Sequence, residues 1–139
     1  MTLYDDLGGF DALLRLCRRW HELCLDDPLA AHPFTAAPIH PFHDERLAAY
    51  LAEATGGPRL YTAGFGDESS MLRLHAGNGV HRELDEAAVA AFERALAEVG
   101  MTGEPGARLG AYFRRATYAM DAYADGPHLV AGEMPFNHV

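Results

Sequence analysis

The chain has 139 residues, with 20 Asp and Glu against 11 Lys and Arg and a formal net charge of −9. That acidic balance argues against nucleic acid or an anionic membrane as a partner, since both reward basic surface, and the length fits one compact domain able to bury a core and a flat cofactor besides. No apolar run nears the ~20 residues of a membrane span, and the start MTLYDDLGGF lacks the basic and apolar regions of a signal peptide, so a cytoplasmic location is expected.

Helical periodicity dominates and strand alternation is almost absent, so the expected class is all-α. Thr2 and Asp5 form a capping-box pattern for a short first helix, which Gly8-Gly9 releases. The next helix, about 10–26, places Leu13, Leu16, Cys17, Trp20, Leu23 and Cys24 on one stripe before Asp26-Asp27-Pro28 ends it. The two cysteines lie seven apart on this helix, roughly 10 Å by helical rise, too far for a disulfide, and read as small apolar core residues.

Residues 28–41 carry Pro28, Pro33, Pro38 and Pro41 with little periodicity and read as an irregular connection. A helix over about 42–54 follows, with His43, Leu47, Tyr50, Leu51 and Ala54 along one face, until Gly56-Gly57-Pro58 breaks it. A loop through Tyr61 and Phe65 leads to GDESSMLRLHAGNG, residues 66–79, a brief helical run with His75 on the side of Met71 and Leu72 and glycines at 77 and 79 as the stop. Two longer helices complete the pattern, about 83–99 with Leu84, Ala88, Phe92, Ala95, Leu96 and Val99 inward, and 106–124 with Leu109, Tyr112, Phe113, Ala116 and Met120 inward. The domain is taken as residues 1–125. Residues 126–139 have Pro, Gly and no period, the signature of a partly disordered tail.

His75 and His43 are two imidazoles on apolar faces of separate helices, an arrangement that suggests a haem between them. Gly8-Gly9 and the run Gly56-Gly57-Pro58-Arg59 followed by Tyr61, together with MLRLHAGNG around His75, resemble the truncated haemoglobins of group II over residues 3–100 and, more loosely, the last long helix. The resemblance implies a shortened globin, two helices stacked over two around a haem. It makes His75 the proximal iron ligand, with Met71, Leu72 and Leu74 packed near it, and Phe34 the aromatic lying flat on the haem. His43 falls at the distal position that gates ligands, Leu47 one turn further in, and Arg46 beside them as a partner for a haem propionate. Tyr50, Tyr61, Ala88 and Phe92 complete the expected cofactor contacts.

The chain departs from that family at two distal positions. Arg19-Trp20 stands where a phenylalanine-tyrosine pair is usual, and Ala88 where a tryptophan is typical, so the expected ligand pocket is His43, Trp20, Leu47 and Ala88, with the Trp20 N–H and the His43 imidazole as hydrogen-bond donors to bound oxygen. His21, His32, His81, His128 and His138 read as surface residues. His40 and His43 with His32 nearby are an alternative metal set, but no CxxC or HExxH accompanies them; a di-iron bundle would need inward Glu-x-x-His pairs, and none occurs.

The absence of a CxxCH motif makes the cofactor a noncovalent haem b. The function implied is binding, transport or storage of dioxygen or another diatomic gas. The alternatives are a haem-dependent redox enzyme, such as a nitric oxide dioxygenase or peroxidase-like protein served by a separate reductase, and a sensor or haem-free interaction domain. The oligomeric state is left open, a homodimer included.

Overall fold

The computed structural model describes all 139 residues and is entirely helical. Eight helices follow in chain order: α1 (Leu3–Asp6), α2 (Gly9–Leu25), α3 (His32–Thr35), α4 (His43–Ala54), α5 (Leu60–Gly64), α6 (Glu68–His75), α7 (Arg82–Glu98) and α8 (Gly103–Ala119). Two 3-10 turns, Met120–Tyr123 and Pro127–Leu129, come after them. No helix is long and apolar enough to cross a membrane.

Two helix pairs are stacked, α2 with α4 and α7 with α8, joined by the packing of α2 on α7. The stripe read from the sequence makes that joint: Leu13, Leu16 and Cys17 of α2 share one buried cluster with Ala48, Leu51 and Ala52 of α4 and Phe92 and Ala95 of α7, and Cys24 is fully buried as well. Each such side chain removed from water contributes roughly 1.5–3 kcal/mol when large, so this layer carries most of the cohesion. Both cysteines are free, and burial pushes the Cys24 thiol up to about 12 and that of Cys17 higher still, which keeps them unreactive.

At the end of α4 the chain must reverse tightly. Gly56 takes φ +93°, and a Cβ at Gly57 would stand 2.5 Å from the Tyr4 ring and 2.8 Å from the Ala52 carbonyl, so the glycine pair lets α1 close against α4. The Tyr4 N–H donates to the Thr55 carbonyl at 2.9 Å across this corner, and its hydroxyl accepts the Phe10 N–H at 3.0 Å and ties α1 to α2.

Four segments differ from the sequence reading. The proline-rich connection contains one helical turn, α3, in which Pro33 occupies the first turn where its missing N–H costs nothing. The loop after the glycine pair contains α5, which buries Tyr61. The last long helix begins three residues early and tightens to a 3-10 turn from Met120 onward. Residues 126–139 are docked along α6, α4 and α8: Ser69 donates to the Ala131 carbonyl at 2.7 Å, Tyr112 to the Asn137 carbonyl at 2.6 Å, and the Val139 N–H to the Ala54 carbonyl at 3.0 Å. Phe136 covers Tyr50, ring centroids 4.6 Å apart. Side chains reaching out from the helices hold this irregular stretch, which is why it carries no period of its own.

Candidate functional site

α6 starts at a capping box in which Asp67 accepts from the Ser70 N–H at 2.7 Å and Ser70 returns a bond to the Asp67 N–H at 2.9 Å. It ends at His75, because Ala76 is extended and Gly77 and Gly79 take φ +81° and +71°. Those glycines donate their N–H groups to the carbonyls of Tyr123 and Ala124 at 2.9 and 3.0 Å. His75 therefore sits on the last turn of a two-turn helix pinned at both ends.

The His75 Nδ1 lies 2.8 Å from the Met71 carbonyl one turn back. A carbonyl only accepts, so Nδ1 carries the proton and Nε2 presents a lone pair outward from the helix. This is the arrangement that orients and strengthens a metal-ligating imidazole. His75 lies near enough to His43 to add a minor electrostatic push against protonation of His43. Leu72 and Leu74 do not share a face: Leu72 is buried and Leu74 is 70% exposed, as residues two apart on a helix must be. Met71 packs on the core and supplies the carbonyl that orients His75.

Across from α6, the start of α4 and the middle of α2 hold an aromatic and imidazole cluster around Phe34 of α3. His21 stacks on Phe34 at 4.4 Å and 25°, and His43 meets the same ring edge-on at 5.4 Å and 88°. Asp44 Oδ1 accepts from both, 2.9 Å from His21 Nδ1 and 3.3 Å from His43 Nδ1. Burial holds the His43 imidazole below its ordinary protonation range, against the opposing pull of Asp44. His21, which the sequence reading assigned to the surface, is only 18% exposed in its side chain and belongs to this cluster.

Trp20 is adjacent but oriented elsewhere. Its indole N–H donates to the Ala88 carbonyl of α7 at 3.0 Å, and its ring is wedged among Phe34, Phe92 and Phe113. The single N–H is thus satisfied by the backbone, which corrects the expectation of a donor free for bound oxygen. Ala88 and Trp20 are indeed brought together, as a joint between α2 and α7, and Phe92 stacks on Phe113 at 3.9 Å behind them. Leu47 is half-buried on α4 against the core.

Arg46 lies on the rim. Its guanidinium is 5.3 Å from the Phe65 ring and 6.0 Å from that of Tyr61, and it donates to the Phe65 carbonyl at 3.4 Å. Tyr50 and Tyr61 meet edge-on at 5.2 Å. The Tyr50 hydroxyl donates to the buried Glu68 at 2.5 Å, and burial pushes its ionisation far above the usual phenol range, so it serves as a neutral structural donor beneath α6. His40, His43 and His32 do not assemble as a metal set; the one group of donors within reach of each other is His21, His43 and Asp44.

A histidine whose Nδ1 bond leaves Nε2 free, with a second imidazole packed against the Phe34 ring nearby, is a donor set that fits an iron porphyrin.

Residues 2–121 match the family model of the bacterial-like globins. Among solved structures, the chain is similar to the thermostable haemoglobin of Thermobifida fusca, at 27% identity and a TM-score of 0.72 over 86% of this chain and 96% of that one. It is also similar to the group II 2-on-2 haemoglobin of Agrobacterium tumefaciens, at 25% identity and a TM-score of 0.74 over 86% and 93%. The group II truncated haemoglobin of Bacillus anthracis shares the fold at 19% identity and a TM-score of 0.76 over 86% and 90%. Among curated proteins none matches the chain.

Proposed function

This chain belongs to the bacterial-like globins and has their truncated two-over-two form, binding a diatomic gas at a haem, and from that premise we propose that His75 is the proximal ligand of a noncovalent b-type haem. The observation that carries the assignment is the 2.8 Å bond from His75 Nδ1 to the Met71 carbonyl, which leaves Nε2 as a ligand atom of fixed direction. When bound, the haem supplies an iron that coordinates dioxygen or another diatomic gas. The chain orients that iron through His75, shields one edge with Phe34 and Leu47, and sets the polarity of the distal side with His43 and His21. Arg46, at the rim beside Tyr61 and Phe65, is the cation placed for a propionate.

Reversible ligand binding is the reading these residues support best. Catalytic turnover would draw its electrons from a separate reductase. The test is spectroscopic: purified protein supplied with haem should take up one equivalent and show a Soret band that shifts on reduction and again with carbon monoxide. His75→Ala should lose most of its haem to an acceptor globin, with a retention deficit of about 1.4 kcal/mol for each tenfold change. Unchanged retention and an unchanged iron–imidazole signature would assign the ligand to another residue.

A further inference from the structure

The distal cluster has one anion for two imidazoles. Asp44 Oδ1 accepts from His21 Nδ1 at 2.9 Å and from His43 Nδ1 at 3.3 Å. A carboxylate has only lone pairs to offer, so in both rings Nδ1 is the protonated nitrogen. A neutral imidazole protonated there has a bare lone pair at Nε2 and no second N–H.

The rings are not free to exchange roles. His21 lies flat on Phe34 at 4.4 Å, and His43 is held between the edge of Phe34 and the face of Trp20, whose ring it parallels at 6.4 Å and 25°. Turning either ring over would keep its plane but carry Nδ1 away from the carboxylate, leaving a carbon in its place. The titratable groups around His43 are His21 from α2 and Asp44 beside it, with His75 of α6 near enough to add a minor charge effect. Burial among them favours its neutral form.

We propose that Asp44 is a positioning residue that fixes His21 and His43 as proton acceptors, so that this site favours small protic ligands that must shed a proton to bind iron. The inference rests on the haem assignment above. For a ligand H–X meeting ferric iron, the H–X bond breaks, its electron pair stays with X, and X⁻ binds the metal. The proton goes to an Nε2. No electron changes hands, and the positive charge created on the ring lies against the Asp44 carboxylate. The same Nε2 offers nothing to the partial negative charge on bound oxygen, the reverse of the donor role expected from the sequence. Hydrogen cyanide, hydrazoic acid and hydrogen peroxide belong to the protic class; nitric oxide and carbon monoxide do not.

Two measurements decide it. Imidazole ¹⁵N spectra of the reduced, carbon-monoxide-bound holoprotein should show His21 and His43 protonated at Nδ1, and Asp44→Leu should shift population toward Nε2–H while Asp44→Asn, which keeps an acceptor oxygen, should not. Stopped-flow mixing of the ferric protein at neutral pH with cyanide, which enters as hydrogen cyanide, and separately with nitric oxide gives the second. A placed general base contributes about 10²–10⁴-fold, so Asp44→Leu should lower the cyanide-to-nitric-oxide ratio of association rates by about tenfold or more, and Asp44→Asn should restore most of it. Wild-type rings protonated at Nε2, or a ratio that does not move in Asp44→Leu, would overturn the proposal. Should the wild-type protein take up no haem, the haem reading fails by itself, and ¹⁵N spectra of the haem-free chain still judge Asp44. Wild-type spectra also suffice if Asp44→Leu does not fold.

Discussion

The Trp20 indole N–H donates to the Ala88 carbonyl at 3.0 Å, a side chain of α2 closing on the backbone of α7 across the middle of the molecule. The joint is possible because Ala88 is small: a large residue there would occupy the space into which the indole turns. Trp20→Phe should therefore act on stability. The carbonyl keeps its bond within α7, so loss of the indole bond should cost about 0.5–1.5 kcal/mol, read as a lowered urea midpoint. The ratio of oxygen to carbon monoxide release should stay unchanged in this variant, since the indole N–H is already bonded to the backbone.

Tyr50 and Glu68 form the second buried joint, between α4 and α6. Glu68 also accepts the Asn137 N–H at 3.3 Å. Tyr50→Phe removes the stronger of these two bonds and should destabilise by about 1–3 kcal/mol. Glu68→Gln, which can still accept, should cost less. Chemical denaturation of the two variants side by side checks the order.

His43 predicts a pH dependence. Its protonation lies below the ordinary value of 6.5 because burial disfavours the charged form. With the folded value depressed, the unfolded chain binds more protons in the window below 6.5. The stability His43 contributes is therefore fully present above that pH and declines as pH falls toward the folded value. Urea midpoints of wild type and His43→Leu between about pH 7.5 and 5.5 should converge on the acid side, the wild type losing more. Parallel pH profiles would show that this imidazole titrates alike in both states.

The docked segment after Gly126 should matter as much as a helix. Phe136→Ala, which strips the cover from Tyr50, should cost about 1 kcal/mol in thermal or chemical unfolding, less than a fully buried ring because Phe136 is half-buried. Removing residues 131–139 should cost more, since Ser69, Glu68 and Tyr112 lose backbone partners together.

Much of the architecture was legible along the chain because α2, α4 and α7 are long enough for a 3.6-residue period to repeat several times. α3 and α5, four and five residues long, complete barely one turn and leave no period to read. The distal side was legible only in part. Trp20 and His21 are neighbours on one helix, about 100° apart, and the stripe selects Trp20. What brings His21 into the site is Asp44, 23 residues away, and a hydrogen bond at that separation has no local signature. The orientation of His75 is set locally by contrast: its partner, the Met71 carbonyl, is one turn back on the same helix.

α6 is two turns long and does not hold itself in place. Glycine amides fasten its end to the chain after α8, and Ser69 and Arg73 reach to the carbonyls of Val130 and Ala131. The protein thus suspends His75, the proposed iron ligand, from a sling woven out of the chain's last stretch. With His75 as the ligand, tension on its bond to a metal would be carried into residues 123–131. That segment is where a reporter group would register events at a metal it never touches.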